Sequence, residues 1–375
     1  MKEYVLARKW RPKKFSEVVG QDFAIKSIAS GLKAQKVHPA YLLTGPRGIG
    51  KTTIARIIAK AINCETNGVS DNPCGKCDTC LQIDNTQYID LYEIDGASKT
   101  KVEDIREILE NVQYLPTQGK YKVYIIDEVH MLSDSAFNAL LKTLEEPPEN
   151  VKFILATTEK HKIIPTILSR CQIFDFKRIG VTDTKNYLQK IAKTKGIQAE
   201  EEALQLIAQK ADGAMRDALS IFDRIVSFSN DTITAEHVSV NLSILDFDTY
   251  LQITKQLIEG DIRGVILSFD QVLSKGFDGH QFIVGLASHF RDLWMCKHPD
   301  TISLIEVGSS TQKKYLTQSE MADLSFLEKA ISLTNECDLQ YKASKNQRLH
   351  VELCLMQIAS VEDEKKKDKP YIKPA

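Results

Sequence analysis

The sequence lacks three features that would place it in a membrane, secreted or generally basic class of protein. No apolar run in its 375 residues approaches the roughly 20 residues that a helix needs to cross a bilayer. Residues 1–5 contain no apolar core of the kind found in signal peptides. The 49 basic residues balance the 50 acidic ones, so any contact with nucleic acid requires a local patch or an assembly of subunits. We therefore expect a cytoplasmic protein with no membrane partner.

The first half of the chain has the pattern of a parallel α/β domain. The length of the whole chain predicts two or three domains, and its overall composition of 43% hydrophobic and 26% charged residues is that of an ordinary globular protein. Helical patterns or loops separate five short apolar runs, which favours a parallel sheet. The predicted strands are residues 41–44, 89–94, 122–127, 151–157 and 172–176.

The second half changes to helical spacing of its apolar residues, beginning at about Val181. Residues 241–246 interrupt this pattern, and a second helical block follows. We therefore predict an α/β domain at 1–178, a small helical domain at 179–242 and a larger helical domain at 243–361. A Lys/Asp/Glu run and two prolines in residues 362–375 predict a disordered tail.

Residues 45–52 read GPRGIGKT and fit the phosphate-loop pattern GxxxxGK[ST] without a mismatch. A predicted strand precedes them and a helical stretch follows, which disfavours a chance glycine-rich turn. In such a loop the backbone N–H groups and the helix N-terminus bind phosphate oxygens, the lysine reaches the β- and γ-phosphates, and the threonine ligates Mg²⁺. The predicted nucleotide contacts here are Gly45, Pro46, Arg47, Gly48, Ile49, Gly50, Lys51, Thr52 and Thr53.

An apolar strand at 122–127 ends in two carboxylates, Asp127 and Glu128. Asp127 is predicted to hold Mg²⁺ together with Thr52, and Glu128 to polarise the water that attacks the nucleotide. An acidic strand end that faces solvent is the alternative. The complete phosphate loop upstream favours the catalytic interpretation.

Three further polar positions have ordinary alternatives. Thr157 begins a hydroxyl pair at the end of strand 151–157, where it could sense the γ-phosphate or simply belong to a turn or a helix cap. Arg170 and Arg216 could each be a solvated surface charge.

Four cysteines, Cys64, Cys74, Cys77 and Cys80, form a C-x9-C-x2-C-x2-C cluster. Four thiolates without an open position are typical of a structural tetrahedral Zn²⁺ site. An iron–sulfur cluster also uses x2 spacings but commonly has a differently placed fourth cysteine, and unliganded thiols are the remaining alternative. We predict zinc.

Long motifs give the chain a family resemblance. These are residues 7–12 (ARKWRP), 18–21 (VVGQ), 126–132 (IDEVHML), 138–148 (NALLKTLEEPP), 156–158 (ATT), 169–171 (SRC) and the stretch around Arg216. Over about residues 4–220 the chain resembles the gamma/tau subunits of bacterial DNA polymerase III, the ATPases of the sliding-clamp loader and members of the AAA+ superfamily. The last helical domain resembles the family's collar by position and pattern.

The resemblance implies roles that spacing alone does not. Thr157 becomes a sensor of the γ-phosphate, and Arg216 a second sensor on the helical lid. Arg170 becomes an arginine finger that acts in trans on the ATP of an adjacent subunit. The adenine and ribose pocket is implied to include Ala7, Arg11, Val18 and Val19. The family also carries a zinc module between its phosphate-loop helix and its next strand.

The implied function is that of a motor subunit which hydrolyses ATP with Mg²⁺ and belongs to a polymerase holoenzyme without itself polymerising DNA. Its implied partners are other loader subunits in a hetero-oligomeric ring, the sliding clamp and primer–template DNA. Lys99, Lys101 and Lys142 are candidate DNA contacts or solvated charges, whereas Asp134 stands where related chains often have a basic residue. A non-hydrolysing scaffold subunit and a branch-migration motor are the alternatives.

Overall fold

The computed structural model describes residues 6–98, 109–229, 232–242, 245, 247–305 and 309–367. These residues divide into two compact units. The first lies within Met1–Ile191 and Ala208–Arg224, and the second within Ala192–Ile207 and Ile225–Ala375. The predicted domain limits, which follow changes in sequence pattern, differ from this division and stay a prediction.

A five-stranded parallel sheet with the order β2-β3-β4-β1-β5 forms the centre of the first unit. All five predicted strands are confirmed, with ends that shift by at most two residues. The strands are β1 (Ala40–Thr44), β2 (Leu91–Asp95), β3 (Lys122–Asp127), β4 (Val151–Thr157) and β5 (Gln172–Asp175).

Helices cover both faces of this sheet, which explains why its central strands are mostly apolar and buried along nearly their whole length. Leu43 of β1 packs on the face that also buries Ile54, whereas the neighbouring Leu42 packs on the opposite face with Phe137. The helices of this part are α1 (Leu6–Lys9), α2 (Asp22–Lys33), α3 (Lys51–Asn63), α4 (Asp78–Asp84), α5 (Asp134–Glu145) and α6 (Pro165–Leu168). Residues 109–112 are also helical, and 3-10 turns occupy Phe15–Glu17, Val129–Met131 and Lys160–Lys162.

Parallel strands bring their carboxyl ends to one edge of the sheet, where ligands of such folds bind. Thr44 and Thr157 are paired in register at this edge, and Asp127 ends the next strand along. Asn63, the last residue of α3, fixes the helix to the start of β3. Its side chain accepts a hydrogen bond from the Tyr121 N–H (2.8 Å) and donates one to the Tyr121 carbonyl (2.9 Å).

The second half of the chain is helical, as its apolar spacing predicts. Its helices are α7 (Val181–Lys195), α8 (Glu201–Lys210), α9 (Met215–Phe228), α10 (Ala235–Leu242), α11 (Phe247–Glu259), α12 (Ile262–Ser274), α13 (Gly279–Cys296), α14 (Ser309–Met321), α15 (Leu324–Tyr341) and α16 (Gln347–Lys367), with a 3-10 turn at Pro299–Leu304. A two-stranded parallel pair, β6 (Gln198–Ala199) and β7 (Thr232–Ile233), was not predicted. Buried phenylalanines such as Phe269, Phe282 and Phe326 fill the core of the second unit.

The last helix, α16, runs six residues into the segment predicted to be disordered. Residues 362–367 are helical because Glu and Lys are good helix formers, so a charged run need not end a helix. The rest of the predicted tail, 368–375, lies outside the described residues. None of the helices described combines the length and the continuous apolar surface that a membrane crossing requires.

Candidate nucleotide site and four-cysteine cluster

The phosphate loop connects the end of β1 to the start of α3, as predicted. Gly45, Gly48 and Gly50 have φ angles of 141°, 79° and 103°, a region that residues with a side chain rarely adopt. A Cβ on Gly45 would also collide with the carbonyl oxygen of Phe176, and a Cβ on Gly48 would lie 2.8 Å from Cβ of Ala214. The loop therefore requires glycine for both its conformation and its packing.

Lys51 is the first residue of α3 and is 6% exposed. Its ammonium group donates hydrogen bonds to the carbonyl oxygens of Gly45 (2.7 Å) and Pro46 (2.9 Å). Burial lowers the pKa of Lys51, while the nearby carboxylates of Glu128 and Asp127 oppose this shift. The positive charge thus lies within the curve of the loop, where a phosphate site needs it.

The predicted magnesium ligands lie next to each other. The hydroxyl of Thr52 donates a hydrogen bond to Oδ2 of Asp127 at 2.6 Å, and Oδ1 of Asp127 accepts one from the Glu128 N–H at 3.0 Å. Hydroxyl and carboxylate oxygens are the ligands that Mg²⁺ prefers. The residues present therefore fit the ion that the sequence predicts.

Glu128 follows β3 in a left-handed conformation with a φ of 46°. Its Oε2 accepts hydrogen bonds from the N–H (3.2 Å) and the hydroxyl (2.9 Å) of Thr158. The side chain is consequently directed across the sheet edge from β3 to the end of β4. A carboxylate held here beside the phosphate loop can act as a base toward a water molecule.

Thr157 is fully buried, and its hydroxyl contacts Nδ1 of His130 at 3.0 Å. The same oxygen accepts a hydrogen bond from the Glu159 N–H at 3.0 Å. Sequence reasoning assigned no role to His130 or Thr158, although both lie within motifs that it singled out. The available signal was that these two residues lie close in sequence to Glu128 and Thr157, which were assigned roles. Only the fold, however, brings the ends of β3 and β4 together.

A cavity of about 1210 Å³ lies along this edge of the first unit. Most of the predicted nucleotide contacts line it. Gly45 and Pro46 do not; their carbonyl oxygens accept the hydrogen bonds of Lys51. The lining residues that were predicted are Ala7, Arg11, Val18, Val19, Arg47, Gly48, Ile49, Gly50, Lys51, Thr52, Thr53, Asp127, Glu128 and Arg216. The structure thus gathers the base-pocket, phosphate and acidic residues around one volume.

Part of the cavity wall is a cluster of arginines. Burial lowers the pKa of Arg11, with Arg56 as a second cause and Arg216 and Arg8 as smaller ones. Glu93 opposes the shift and forms an ion pair with Arg56. This cluster of positive charge suits a polyanionic ligand such as a triphosphate. Sequence reasoning missed Arg56, which lies one helical turn beyond Thr52.

Arg216 lies at the start of α9, beside the phosphate loop. Its N–H donates a hydrogen bond to the carbonyl oxygen of Gly48 at 3.2 Å. The predicted second sensor therefore lies next to the phosphate loop.

Arg170 follows α6 and, among the described residues, is not one that lines the cavity. Its Nη2 lies 2.8 Å from Oε1 of Glu145, and its Nη1 donates hydrogen bonds to the Thr166 carbonyl (2.8 Å) and the Ser169 hydroxyl (3.3 Å). The structure does not bring Arg170 to the site with the other predicted catalytic residues.

The four predicted zinc ligands come together, with their sulfur atoms all within 4.8 Å of one another. The Lys76 and Cys77 N–H groups donate to Sγ of Cys74 at 3.3 and 3.2 Å. The backbone hydrogen bond from Lys76, one from the Thr66 side chain and the backbone one from Cys77 lower the pKa of Cys74 to about 5, and the N–H of Cys74 donates to Sγ of Cys64. Burial raises the pKa of Cys80, which a metal ion would offset. Four converging sulfurs, two of them held by N–H groups, fit a tetrahedral metal site.

The candidate DNA contacts are only partly described. Lys142 is an exposed residue of α5, and Asp134 is the first residue of that helix. Lys99 and Lys101 lie outside the described residues.

The phosphate loop and the acidic pair at the carboxyl edge of a parallel sheet, with the arginine of a following helix beside the loop, define a P-loop nucleotide-binding fold. Models of protein families match successive parts of the chain. Residues 20–180 match "DNA polymerase III, delta subunit", residues 183–231 match "DNA polymerase III clamp loader subunit, ATPase lid domain", and residues 233–373 match "DNA polymerase III subunits gamma and tau domain III".

Two curated relatives carry the same family names. DNA polymerase III subunit tau of Escherichia coli (strain K12) is 47% identical over 284 residues, which are 76% of this chain and 44% of that protein. DNA polymerase III subunit gamma of Buchnera aphidicola subsp. Schizaphis graminum is 39% identical over 360 residues, which are 95% of this chain and 98% of that protein. Among solved structures, the Thermotoga maritima RuvB Holliday junction branch migration motor aligns with 83% of this chain and 91% of its own, with 20% identity and a TM-score of 0.48.

The chain belongs to the DNA polymerase III gamma/tau family of clamp-loader subunits. The resemblance predicted from its motifs is confirmed, and it extends to the last helical domain. The chain spans less than half the length of the Escherichia coli protein and nearly all of the Buchnera protein.

Proposed function

We propose that the chain is the ATP-hydrolysing motor subunit of a bacterial sliding-clamp loader. The single observation that carries the proposal is the juxtaposition of Lys51, the Thr52–Asp127 pair and Glu128 around one cavity. Each of these side chains has a distinct task in phosphoryl transfer to water, and none has been replaced by an inert residue.

The reaction is the attack of water on the γ-phosphate of ATP. The loop N–H groups and Lys51 would bind the phosphates, and Thr52 with Asp127 would hold Mg²⁺. When bound, Mg²⁺ neutralises charge on the β- and γ-phosphates. Glu128 would orient and polarise the attacking water, since its carboxylate is held at the end of β3 by Thr158.

Three further residues would connect hydrolysis to conformation. Thr157 would respond to the γ-phosphate from the end of β4, and Arg216 would couple the lid helix α9 to the phosphate loop, which it already contacts through its backbone. Arg170 would serve the nucleotide of an adjacent subunit. That assignment is supported by its place away from the residues that line the cavity of its own chain.

The partners proposed are the other loader subunits in a hetero-oligomeric ring, the sliding clamp and primer–template DNA, all in the bacterial cytoplasm. ATP binding would order the ring around an opened clamp, and contact with DNA would then stimulate hydrolysis and release of the closed clamp. The four cysteines would hold a structural Zn²⁺ that stabilises the segment between α3 and β2. The chain would be part of the holoenzyme without catalysing DNA synthesis.

A scaffold subunit with a vestigial site is the competing function. Loss of the lysine or of the acidic pair would be expected for it, and all three are present. The two functions are separated by steady-state ATP hydrolysis of a loader reconstituted with this chain as its only hydrolysis-competent subunit. We expect this loader to hydrolyse ATP, and we expect primer–template DNA and clamp together to accelerate the hydrolysis. We also expect it to load the clamp onto DNA. Hydrolysis no faster than that of a loader assembled with Lys51→Ala would establish the scaffold instead.

A further inference from the structure

His130 links three residues at the edge of the nucleotide site. It lies in the 3-10 turn Val129–Met131, directly after Glu128, and its imidazole is only 5% exposed. Nδ1 lies 3.0 Å from the hydroxyl oxygen of Thr157 and 3.4 Å from Oε2 of Glu128. Nε2 lies 3.2 Å from Oε1 of Glu159. One buried ring thus touches the ends of both β3 and β4.

The partners of the ring decide which nitrogen carries its proton. The hydrogen bond from Lys162 lowers the pKa of Glu159, whose ionised carboxylate can only accept hydrogen bonds. With a single ring proton, that proton therefore lies on Nε2 and points to Glu159. Nδ1 then accepts the hydroxyl proton of Thr157. Because the Glu159 N–H donates to the same hydroxyl oxygen, the orientation of this hydroxyl is fixed by two contacts.

The contact with Glu128 is of another kind. Nδ1 and Oε2 are 3.4 Å apart, and Oε2 already accepts hydrogen bonds from the N–H and the hydroxyl of Thr158. The ring therefore closes one side of the Glu128 carboxylate while Thr158 holds the other. The ring thus packs between the hydroxyl of Thr157 and the carboxylate of Glu128.

We propose that His130 is a positioning residue for ATP hydrolysis, which fixes the hydroxyl of Thr157 by a hydrogen bond and limits by its packing the movement of the Glu128 carboxylate beside it. The proposal rests on the hydrolytic function proposed above. It predicts a defect in the chemical step and not in nucleotide binding, since the contacts of the phosphate loop do not involve His130.

Four variants of the full chain test this role in the reconstituted loader. His130→Leu removes both nitrogens, and we expect kcat for ATP hydrolysis to fall roughly 10- to 100-fold while the Kd for a fluorescent ATP analogue changes less than about twofold. His130→Asn places an amide near the position of Nδ1 and should recover most of the loss. Glu159→Ala removes the anchor of Nε2 and should lower kcat less than His130→Leu. Lys160→Ala, the matched control, removes a lysine of the same turn that pairs with Asp175 and not with Glu159, and should retain the wild-type kcat.

A double-mutant cycle distinguishes positioning from packing. If His130 acts through Thr157, the losses of kcat in His130→Leu and Thr157→Val will not multiply in the double variant. Losses that multiply, or a wild-type kcat in His130→Leu, would overturn the proposal. If His130→Leu does not fold, His130→Gln takes its place in the cycle, because it keeps a polar group near Nε2 but loses Nδ1. A wild-type loader without ATPase activity would instead overturn the hydrolytic function itself.

Discussion

Arg170 is held within its own chain by Glu145, with Nη2 2.8 Å from Oε1 of that carboxylate. The two side chains are 32% and 52% exposed, so the pair is accessible at the surface and contributes little to stability. An exposed guanidinium with a weak partner can exchange that partner for a phosphate of another subunit. This relationship leads to a prediction that requires two kinds of chain in one assembly.

A mixture of two inactive variants should recover part of the stimulated activity. Arg170→Ala keeps its own nucleotide site, and Lys51→Ala keeps its arginine, so an interface that joins the two contains one complete site. Each variant alone should lose DNA- and clamp-stimulated hydrolysis, Arg170→Ala by as much as about 10³-fold. Steady-state hydrolysis of co-assembled mixtures at several ratios measures the recovery.

The control for this experiment is an assembly of Arg170→Ala with a chain that carries both substitutions. It contains no complete site and should remain inactive. An inactive mixture of the two single variants, despite demonstrated co-assembly, would show that Arg170 does not act in trans.

Asp127→Asn should weaken the binding of Mg²⁺ at the nucleotide site. The substitution keeps the size of the side chain and removes its charge, so the Mg²⁺ concentration for half-maximal hydrolysis should rise at least about tenfold. Titration of hydrolysis with Mg²⁺ checks this. Asp175→Asn removes the same charge at the end of β5, where Asp175 pairs with Lys160, and serves as the control. Equal magnesium dependence in the two variants would argue against Asp127 as a ligand.

The purified chain should contain about one zinc ion and no iron–sulfur absorbance. Cys77→Ser should lose the metal and expose the region of residues 64–84 to hydrogen exchange, while nucleotide binding persists. The buried Lys60–Asp84 ion pair (2.6 Å) still joins α3 to the end of α4 in that variant. Cys171→Ser, outside the cluster, should keep its zinc. Elemental analysis that finds iron or no metal in the wild-type chain would refute the site.

His289 should make the second unit sensitive to acid. It is 2% exposed, and burial lowers its pKa to about 4. Gln318 donates its amide N–H to the Leu251 carbonyl, so its Oε1 accepts from Nε2 of His289, and Nδ1 accepts the Tyr315 hydroxyl proton. The neutral ring is therefore the form that the fold stabilises.

Because the folded pKa lies below the unfolded value near 6.5, this stability is present above pH 6.5 and is lost as pH falls toward 4. The free energy of unfolding should fall by about 2 kcal/mol between pH 7 and pH 5. Denaturant unfolding of the wild type and of His289→Gln at these two pH values measures it. The variant should be less stable at pH 7 but should lose less between the two values. An identical pH dependence in both proteins would exclude His289 as its source.

The sequence was sufficient to predict the sheet and the phosphate loop, because local pattern determines both. The central strands β1, β3 and β4 are buried on both faces and read as mostly apolar runs, and Gly45 and Gly48 adopt backbone angles that few other residues allow. The cluster of cysteines was equally predictable, since three of its four ligands lie within seven residues.

Contacts between distant segments could not be predicted in the same way. Thr158 meets Glu128 because β3 and β4 are neighbours, and His130 meets Glu159 for the same reason. Arg56 and Glu93 pair between α3 and β2, although nothing in their local sequence connects them. The helical residues 362–367 were missed because a run of charged residues is typical of both disorder and an exposed helix end.

The role of Glu128 provides the most direct test. In Glu128→Gln the contacts of Lys51 and the loop with the phosphates remain, so the Kd for ATP should stay within about threefold of the wild type, while single-turnover hydrolysis should fall by at least about 10²-fold. In Lys51→Ala the affinity for ATP itself should fall. If the Glu128→Gln variant binds ATP normally and hydrolyses it only marginally, the result would support the proposed chemistry. Near-normal hydrolysis by that variant would contradict it.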